Sequence, residues 1–467
     1  MNNLNLSRKK SGGKSWKFWA LFWSTSVVFL VSLFIFLNFQ KGGVFEVFKL
    51  MNPLLKVAPI EEKQKEELRA VFEIASKMSE VKEVQTFLIL FQNNLEIRPG
   101  GGYIGSFGIL KLKEGQVISI EVHDTNIFDD RISTGIMPPY PMTETLRVKN
   151  WEMRDSNWSP DFEENAHKAV EFYTLEGGEE QFNGVIAIST RLLTSFLEFT
   201  GPIAIPGFPG EYTSENAILK LEYHVEKGYK EQDIEKGKRK YIMKDLAREI
   251  LNKASQLSLT EKKDLLLRLE KHLNEKDVLI NFFDVELQEK IESLNWGGEV
   301  NENYSNDYLM MVDANLAAYK SDAKMVRSFE YQVDFRKEAP IATLDLTYKH
   351  TAQEKDWMTN NYQSYLRIYT PKESWLLESN NYHPMKFGEE LNKKYFGTLI
   401  QVPLGQTKTF HYEYRLPERI TFEDYRLMIQ KQSGIPEIKG KIRLIDEKGI
   451  SHKYEKIISG DWELVVD

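Results

Sequence analysis

The chain has 467 residues, a formal net charge of −8 and no cysteine. The lack of cysteine excludes disulfides, thiol catalysis and thiolate-bound metals. The acidic balance disfavours nucleic acid as a partner, because a phosphate backbone attracts an excess of lysine and arginine. More than 400 residues follow the N-terminal region, and this length predicts two globular domains.

The N-terminus carries the pattern of a membrane anchor. Five basic residues within residues 1–17 precede residues 18–40, which contain no charged side chain. A helix of about 20 apolar residues crosses a bilayer core of about 30 Å, and the basic flank stays in the cytoplasm. We therefore predict a cytoplasmic basic tail at 1–17, a transmembrane helix at 18–40 and a juxtamembrane linker and helix at 41–83. A cleaved signal peptide is the alternative, although no small-residue cleavage site follows the apolar run.

Residues 84–324 are predicted to form an extracytoplasmic α/β domain. Residues 86–91 are an uninterrupted apolar run, which is typical of a strand buried on both faces. Residues 103–112 and 117–122 predict a hairpin. Helical and strand patterns then alternate, and the apolar residues 308–312 predict one more strand. This alternation predicts an α/β sheet covered by helices.

The pattern of apolar and polar residues changes near residue 325. Short segments that alternate apolar and polar residues are separated there by turns rich in glycine, proline and asparagine. This pattern predicts a C-terminal antiparallel β domain, a sandwich, over residues 325–467. The predicted fold class is thus α/β with an N-terminal transmembrane helix, an α/β sheet domain and a β-sandwich-like domain.

The segment that follows the first buried strand is the first candidate site. It combines polar side chains with glycines that let a backbone or a ligand approach closely, and Arg98 adds a fixed positive charge. We predict that this segment binds an anionic group through Asn94, Glu96, Arg98, Gly101 and Gly102. The alternative is structural, with Arg98 paired to Glu96 or Asp124 inside a buried turn. The spacing fits neither a dinucleotide fingerprint nor a Walker loop.

A second candidate lies at the end of the predicted hairpin. His123 and Asp124 are followed by Asp129, Asp130 and Arg131. The aspartates offer carboxylate oxygens to a divalent cation, and Asp124 is the predicted metal ligand. The alternatives are a turn with a capping aspartate and a solvated acidic loop.

The third candidate leads into a helix that starts near Pro160. We predict ligand contacts from four of its residues, namely Arg154, Asp155, Asn157 and Asp161. Ligands of open α/β sheets collect at strand ends and helix N-termini, where backbone amides point outward. An ion pair between Arg154 and Asp155 packed under tryptophans is the structural alternative. The basic residues 236–240 are predicted to form a solvated face or to reach an anionic ligand.

The order of these motifs resembles a bacterial family, domain of unknown function 4012. The pattern N-N-x-E-x-R-x-x-G-G-[FY]-I-G-S stands at residues 93–106, and W-x-x-R-D-x-N-W-S-P-D-F stands at residues 151–162. Further similar stretches extend the resemblance to residue 434, where Gln-Lys-Gln-Ser-Gly ends it. The resemblance implies an anchored protein of the bacterial cell envelope with unassigned activity, located in the cell membrane with most of the chain outside.

A second resemblance is to the LytR-CpsA-Psr enzymes, which transfer lipid-pyrophosphate-linked glycopolymers to the cell wall with Arg, Asp and Mg²⁺. Residues 120–125 are similar to the Ile-Pro-Arg-Asp-Thr motif of that family, with His123 in place of its arginine. The resemblance implies a transferase in which Arg98 and Asp124 are catalytic and Arg154 helps to hold phosphate.

Two functions from different classes remain open at this stage. The first is a non-catalytic envelope protein that binds a cell-surface glycan or an envelope partner and needs no cofactor. The alternative is a Mg-dependent transferase acting on a polyprenyl-pyrophosphate-linked glycopolymer. An integral membrane association is expected under both, and nucleic acid is expected under neither.

Overall fold

The computed structural model describes residues 62–231, 234, 240–317 and 319–466. The predicted cytoplasmic tail, the predicted transmembrane helix and residues 41–61 of the predicted linker and helix lie outside these residues.

The N-terminal part is built on a five-stranded sheet in the order β3-β2-β1-β4-β7. Its strands are β1 (Gln85–Asn93), β2 (Tyr103–Lys113), β3 (Gln116–Asp124), β4 (Gly184–Ser189) and β7 (Val278–Phe282). Strands β1 and β4 run parallel, and the other three pairings are antiparallel. The apolar run at residues 86–91 thus forms part of the central strand, and the predicted hairpin is β2–β3.

Helices cover both faces of this sheet because the side chains of β1 alternate between two apolar layers. Leu88 and Leu90 pack with Phe162 and Phe172 on one face. Phe87 packs with Trp296 on the other face. The helices before residue 190 are α1 (Glu62–Glu80), α2 (Thr125–Asp129), α3 (Met142–Thr145), a 3-10 turn (Met153–Asp155) and α4 (Phe162–Leu175).

An insertion between β4 and β7 has its own apolar cluster, centred on Phe196, Leu221 and Ile242. It contains α5 (Thr190–Thr200), the short strands β5 (Ile203–Ala204) and β6 (Glu211–Tyr212), α6 (Ala217–Tyr223), a π-helical turn (His224–Gly228), α7 (Tyr229–Glu231), α8 (Tyr241–Gln256) and α9 (Leu259–Asn274). Helix α10 (Val285–Ser293) follows β7.

The C-terminal part is made of two six-stranded sheets with a shared apolar core. One sheet has the order β12-β15-β10-β9-β17-β18, and the other has the order β13-β14-β11-β8-β16-β19. Their strands are β8 (Asp307–Asn315), β9 (Met325–Asp334), β10 (Ile341–His350), β11 (Tyr362–Pro371), β12 (Trp375–Ser379), β13 (Lys386–Glu390), β14 (Lys393–Val402), β15 (Thr407–Arg415), β16 (Arg426–Ile429), β17 (Ile438–Ile445), β18 (Ser451–Ile458) and β19 (Trp462–Val465). A 3-10 turn (Ser321–Lys324) precedes β9.

The predicted fold class needs correction, although helices and sheet-rich parts are both present. It included a transmembrane helix, whereas no helix among the described residues is long and apolar enough to cross a membrane. It also assigned residues 308–312 to the α/β sheet, whereas β8 pairs with β11 and β16 of the C-terminal part. That part is not purely antiparallel either, since β8–β16 and β9–β17 are parallel pairs.

Candidate functional site

Arg98, the centre of the first predicted site, is buried and bonded to three segments of its own chain. Its Nε donates to Asp155 Oδ1 at 2.7 Å, one terminal nitrogen donates to the Asn315 carbonyl at 2.7 Å, and the other donates to Glu96 Oε1 at 3.1 Å. Burial raises the pKa of Glu96, and the charge of Arg98 opposes that rise. This arrangement favours the structural alternative for Arg98, and its predicted binding and catalytic roles stay predictions.

The glycines after Arg98 are packed against other parts of the same protein. A Cβ at Gly101 would lie 2.0 Å from Gln92 Oε1, and one at Gly102 would lie 2.5 Å from the carbonyl carbon of Asn93. Asn157 donates to the Gly102 carbonyl at 2.7 Å, and Gln432 donates to the Arg98 carbonyl at 3.0 Å. The close approach that glycine permits is therefore used by the protein's own backbone and side chains.

The second and third candidate clusters meet beside Tyr103. The Tyr103 hydroxyl donates to Asn126 Oδ1 at 2.5 Å, and Arg154 donates to the same oxygen at 3.1 Å. Asp124 caps helix α2 by accepting from the Asn126 amide at 3.0 Å. Because the Arg98 guanidinium carbon lies 5.4 Å from the centre of the Tyr103 ring, the structure brings Arg98, Asp124 and Arg154 into one neighbourhood.

Protein cations and carboxylates already face one another in this neighbourhood. Lys240 Nζ lies 3.0 Å from Asp124 Oδ1 and also donates to the Gly105 carbonyl. Lys240 is buried, so the predicted solvated face is wrong at this position, while residues 236–239 lie outside the described residues. A lysine next to Asp124 disfavours the predicted metal there, because the two cations would repel each other.

The remaining predicted side chains also have partners within the protein. Asn94 accepts from the Thr190 hydroxyl, and Asp155 pairs with Arg98 instead of Arg154. Arg154 pairs with Asp129 at 2.8 Å and with Glu152. Asp161 caps helix α4 and accepts from the Val300 amide at 2.8 Å, which places it away from Arg98 and at the junction of the two parts.

Asp129 and Glu176 form a buried carboxyl pair next to Arg154. Both side chains are at most 1% exposed. Burial raises the pKa of Asp129 to about 9, the charge of Glu176 adds to this rise, and Arg154 opposes it. Burial also raises the pKa of Glu176. A proton held by this pair removes the cost of burying two neighbouring negative charges.

We expect Asp129→Asn to flatten the pH dependence of stability. Asp129 has a raised pKa in the folded state, so its contribution to stability is fully present below about pH 4 and is lost as the pH rises towards 9. The asparagine carries no such proton. The free energy of unfolding in urea, compared between the variant and the unmodified protein from about pH 5 to 9, should shift progressively in favour of the variant. A constant difference across this range would contradict a shared proton.

One group of residues has the spacing of a metal site among the described residues, namely His272, Glu275 and Asp277. Arg191 lies 3.2 Å from Glu275 Oε2 and 3.3 Å from Asp277 Oδ1. His272 Nδ1 lies 2.8 Å from Asp277 Oδ2. Because Arg191 pairs with both carboxylates and Lys271 also lies 3.7 Å from Glu275 Oε1, these residues fit an internal ion-pair network better than a metal.

An open concavity lies where the N-terminal part meets the C-terminal sandwich. Two adjoining cavities of about 560 and 540 Å³ share Lys276, Asn295, Asp461 and Trp462 in their walls. We call them the first and second cavity, and together the junction groove. The first lies between α9 and the end of β18, and the second lies between α4, the segment after α10, and β16 and β19.

The shared wall of the junction groove is shaped by unusual backbone. Lys276 and Asn295 have φ angles of +60° and +57°, in the left-handed region that few residues other than glycine adopt. Lys276 Nζ lies 2.7 Å from Asp461 Oδ2, and this ion pair joins the two parts of the protein. Lys276 and Asn295 each follow the C-terminal end of a helix, α9 or α10, and each angle closes a Schellman motif, in which the Asp277 amide donates to the His272 carbonyl and the Trp296 amide donates to the Ile291 carbonyl.

The groove combines an indole ring with amides and carboxylates. Trp462 lines both cavities, and amide side chains lie in their walls at Asn274, Asn295, Asn301, Asn303 and Gln430. Nine acidic residues line the groove against three lysines, and Asp161 from the predicted set is one of them. These groups can donate and accept many hydrogen bonds, but their net charge repels an anionic ligand.

Most of the residues that line the groove were not predicted from the sequence. Asp161 was predicted from its helix-start motif, and Gln430 belongs to the Gln-Lys-Gln-Ser-Gly stretch at residues 430–434. The segment Asn295-Trp296-Gly297-Gly298 carries a further usable signal, because paired glycines beside an asparagine indicate a tight turn. Trp462 lies near the C-terminal end in an ordinary strand and carries no such signal.

No curated protein matches the chain. Among solved structures, the Lin1025 protein from Listeria innocua is 12% identical with a TM-score of 0.27, over 46% of this chain and 80% of that chain. The lpg2210 protein from Legionella pneumophila is 8% identical with a TM-score of 0.18, over 26% of this chain and 50% of that chain. Neither score carries an argument about fold, and the similarity to the LytR-CpsA-Psr enzymes is not shown. In sequence, residues 82–225 match the family described as "Protein of unknown function (DUF4012)", which confirms that resemblance for this stretch.

Proposed function

We propose that the protein is a non-catalytic binding protein that holds a carbohydrate chain in the junction groove. The observation that carries this proposal is the pair of adjoining cavities, which share Trp462 and are lined by amides and carboxylates. An extracytoplasmic location and a role in the cell envelope stay predictions.

The groove suits a polyhydroxylated ligand for two physical reasons. A sugar ring has an apolar face of C–H bonds that packs on an indole ring, and tryptophan supplies a large and rigid surface for such contacts. The hydroxyl groups of a sugar both donate and accept, as do the amides of Asn274, Asn295 and Asn301. Two cavities in a row suit a chain of linked sugars better than a single small molecule.

The transferase on an anionic glycopolymer receives less support. Arg98 already donates hydrogen bonds to Asp155, Asn315 and Glu96, and Asp124 faces Lys240. The groove itself has an excess of carboxylates, which repel phosphate. Arg98, Asp124 and Arg154 do share one neighbourhood, but protein groups already pair with all three.

The proposal is tested by replacing the shared aromatic residue. We expect Trp462→Ala to weaken binding of a soluble oligosaccharide such as chitohexaose by about tenfold or more, measured by titration calorimetry. Trp375→Ala is the matched control, because Trp375 is 62% exposed on β12 and lines neither cavity. Equal loss in both variants, or no binding by the unmodified protein across neutral, cationic and anionic oligosaccharides, would refute the proposal.

A further inference from the structure

The charges of the junction groove are distributed unevenly along its length. Three acidic residues and three lysines line the first cavity. The second cavity has seven acidic residues in its wall and a single lysine, Lys276, which is paired with Asp461. The acidic residues of the second cavity are Asp161, Glu163, Glu292, Glu299, Glu302, Asp461 and Glu463. A ligand that spans both cavities therefore meets a near-neutral half and an acidic half.

Glu299 shows that this negative charge is not balanced within the protein. Its Oε2 is buried and has no hydrogen-bond partner among the described residues. Burial raises the pKa of Glu299, the nearby charges of Glu292 and Asp161 add to this rise, and a backbone hydrogen bond and the charge of Lys276 oppose it. A positive group placed in the cavity would relieve the repulsion among these carboxylates.

The spacing of these carboxylates argues for several separate positive groups instead of one metal ion. Three ligand atoms close enough to surround one ion occur, among the described residues, at His272, Glu275 and Asp277 and not in the second cavity. Four of the acidic side chains, at Glu163, Glu292, Glu302 and Glu463, belong to exposed residues along the wall. Ammonium groups repeated along a chain match such a row of separated carboxylates.

We propose that the second cavity selects carbohydrate chains that carry free primary amines, with the ammonium groups paired to Glu299 and Glu292. This inference rests on the proposed function and adds the chemical class of the ligand. A neutral chain would still pack on Trp462, but it would bring no positive charge to Glu299 and Glu292.

The test compares two oligosaccharides with the same backbone. We expect fully de-N-acetylated chitohexaose to bind the protein about tenfold more tightly than fully N-acetylated chitohexaose at about 20 mM salt. This preference should shrink at about 0.5 M salt, because salt screens the charges. Glu299→Gln and Glu292→Gln should each reduce the preference by about threefold. Glu270→Gln, in the wall of the first cavity, should leave it unchanged.

The outcomes separate this inference from the function on which it rests. Equal affinity for the two oligosaccharides, with binding still lost in Trp462→Ala, would overturn the amine preference and leave the carbohydrate site standing. A preference that is unchanged in both glutamine variants would also overturn it. Binding of neither oligosaccharide would refute the proposed function instead. Glu292 is exposed, so its variant gives a readable result even if Glu299→Gln fails to fold.

Discussion

Replacing Arg98 with alanine should lower the free energy of unfolding by about 3 to 5 kcal/mol. The guanidinium is 2% exposed and joins Asp155, Glu96 and the Asn315 carbonyl. Its removal leaves two buried carboxylates without their cation, and the cost of an uncompensated buried charge is larger than the net strength of the original pair. The shift is measured by urea unfolding of the variant beside the unmodified protein.

Arg336→Ala is the matched control for Arg98→Ala. Arg336 also pairs with a carboxylate, that of Asp334 at 2.6 Å, but its side chain is 56% exposed. We expect a much smaller loss of unfolding free energy there, because water replaces the lost partner. A similarly small loss in Arg98→Ala would show that Arg98 is not the structural centre described above. The predicted binding of an anionic ligand by Arg98 would then have to be tested directly.

The strands of the two parts show what local sequence can and cannot predict. The apolar run at residues 86–91 and the one at residues 308–312 each predict a strand, and both lie within a strand of the structure. The sheet that each strand joins depends on pairing partners far away in sequence. Strand β8 pairs with β11 and β16, so no property of residues 308–312 alone reveals its place.

The candidate sites also depend on residues that are far apart in sequence. Residue types around Arg98 indicated correctly that charged and glycine residues meet there, but the partner that fills the loop, Gln432, lies in the C-terminal part. The junction groove depends on Lys276, Asn295 and Trp462, which come together only when the two parts pack. Left-handed backbone at Lys276 closes the C-terminal end of α9, where glycine is the usual residue, so lysine gives no signature of it.

The packing of Gly434 against the triple glycine predicts the second large effect. Gly434 has a φ of +77°, and a Cβ there would lie 2.0 Å from the Gly101 carbonyl oxygen and 2.8 Å from Ile97 Cδ1. A backbone oxygen cannot move aside as a flexible side chain can, so the two parts of the protein would have to separate locally. We expect Gly434→Ala to lower the free energy of unfolding by about 3 to 5 kcal/mol, as measured in urea.

Gly207→Ala separates the cost of the clash from the cost of the backbone angle. Gly207 has a φ of +83°, but no atom lies within 4 Å of the position of its Cβ. In the Gly207→Ala variant the free energy of unfolding should therefore fall only by the cost of a left-handed alanine, about 1 kcal/mol. If both variants lose the same amount, the close approach of Gly434 to Gly101 does not hold the two parts together. If Gly434→Ala also weakens oligosaccharide binding while Gly207→Ala does not, the junction groove depends on the contact between Gly434 and Gly101. The groove and this contact both lie where the two parts of the protein meet.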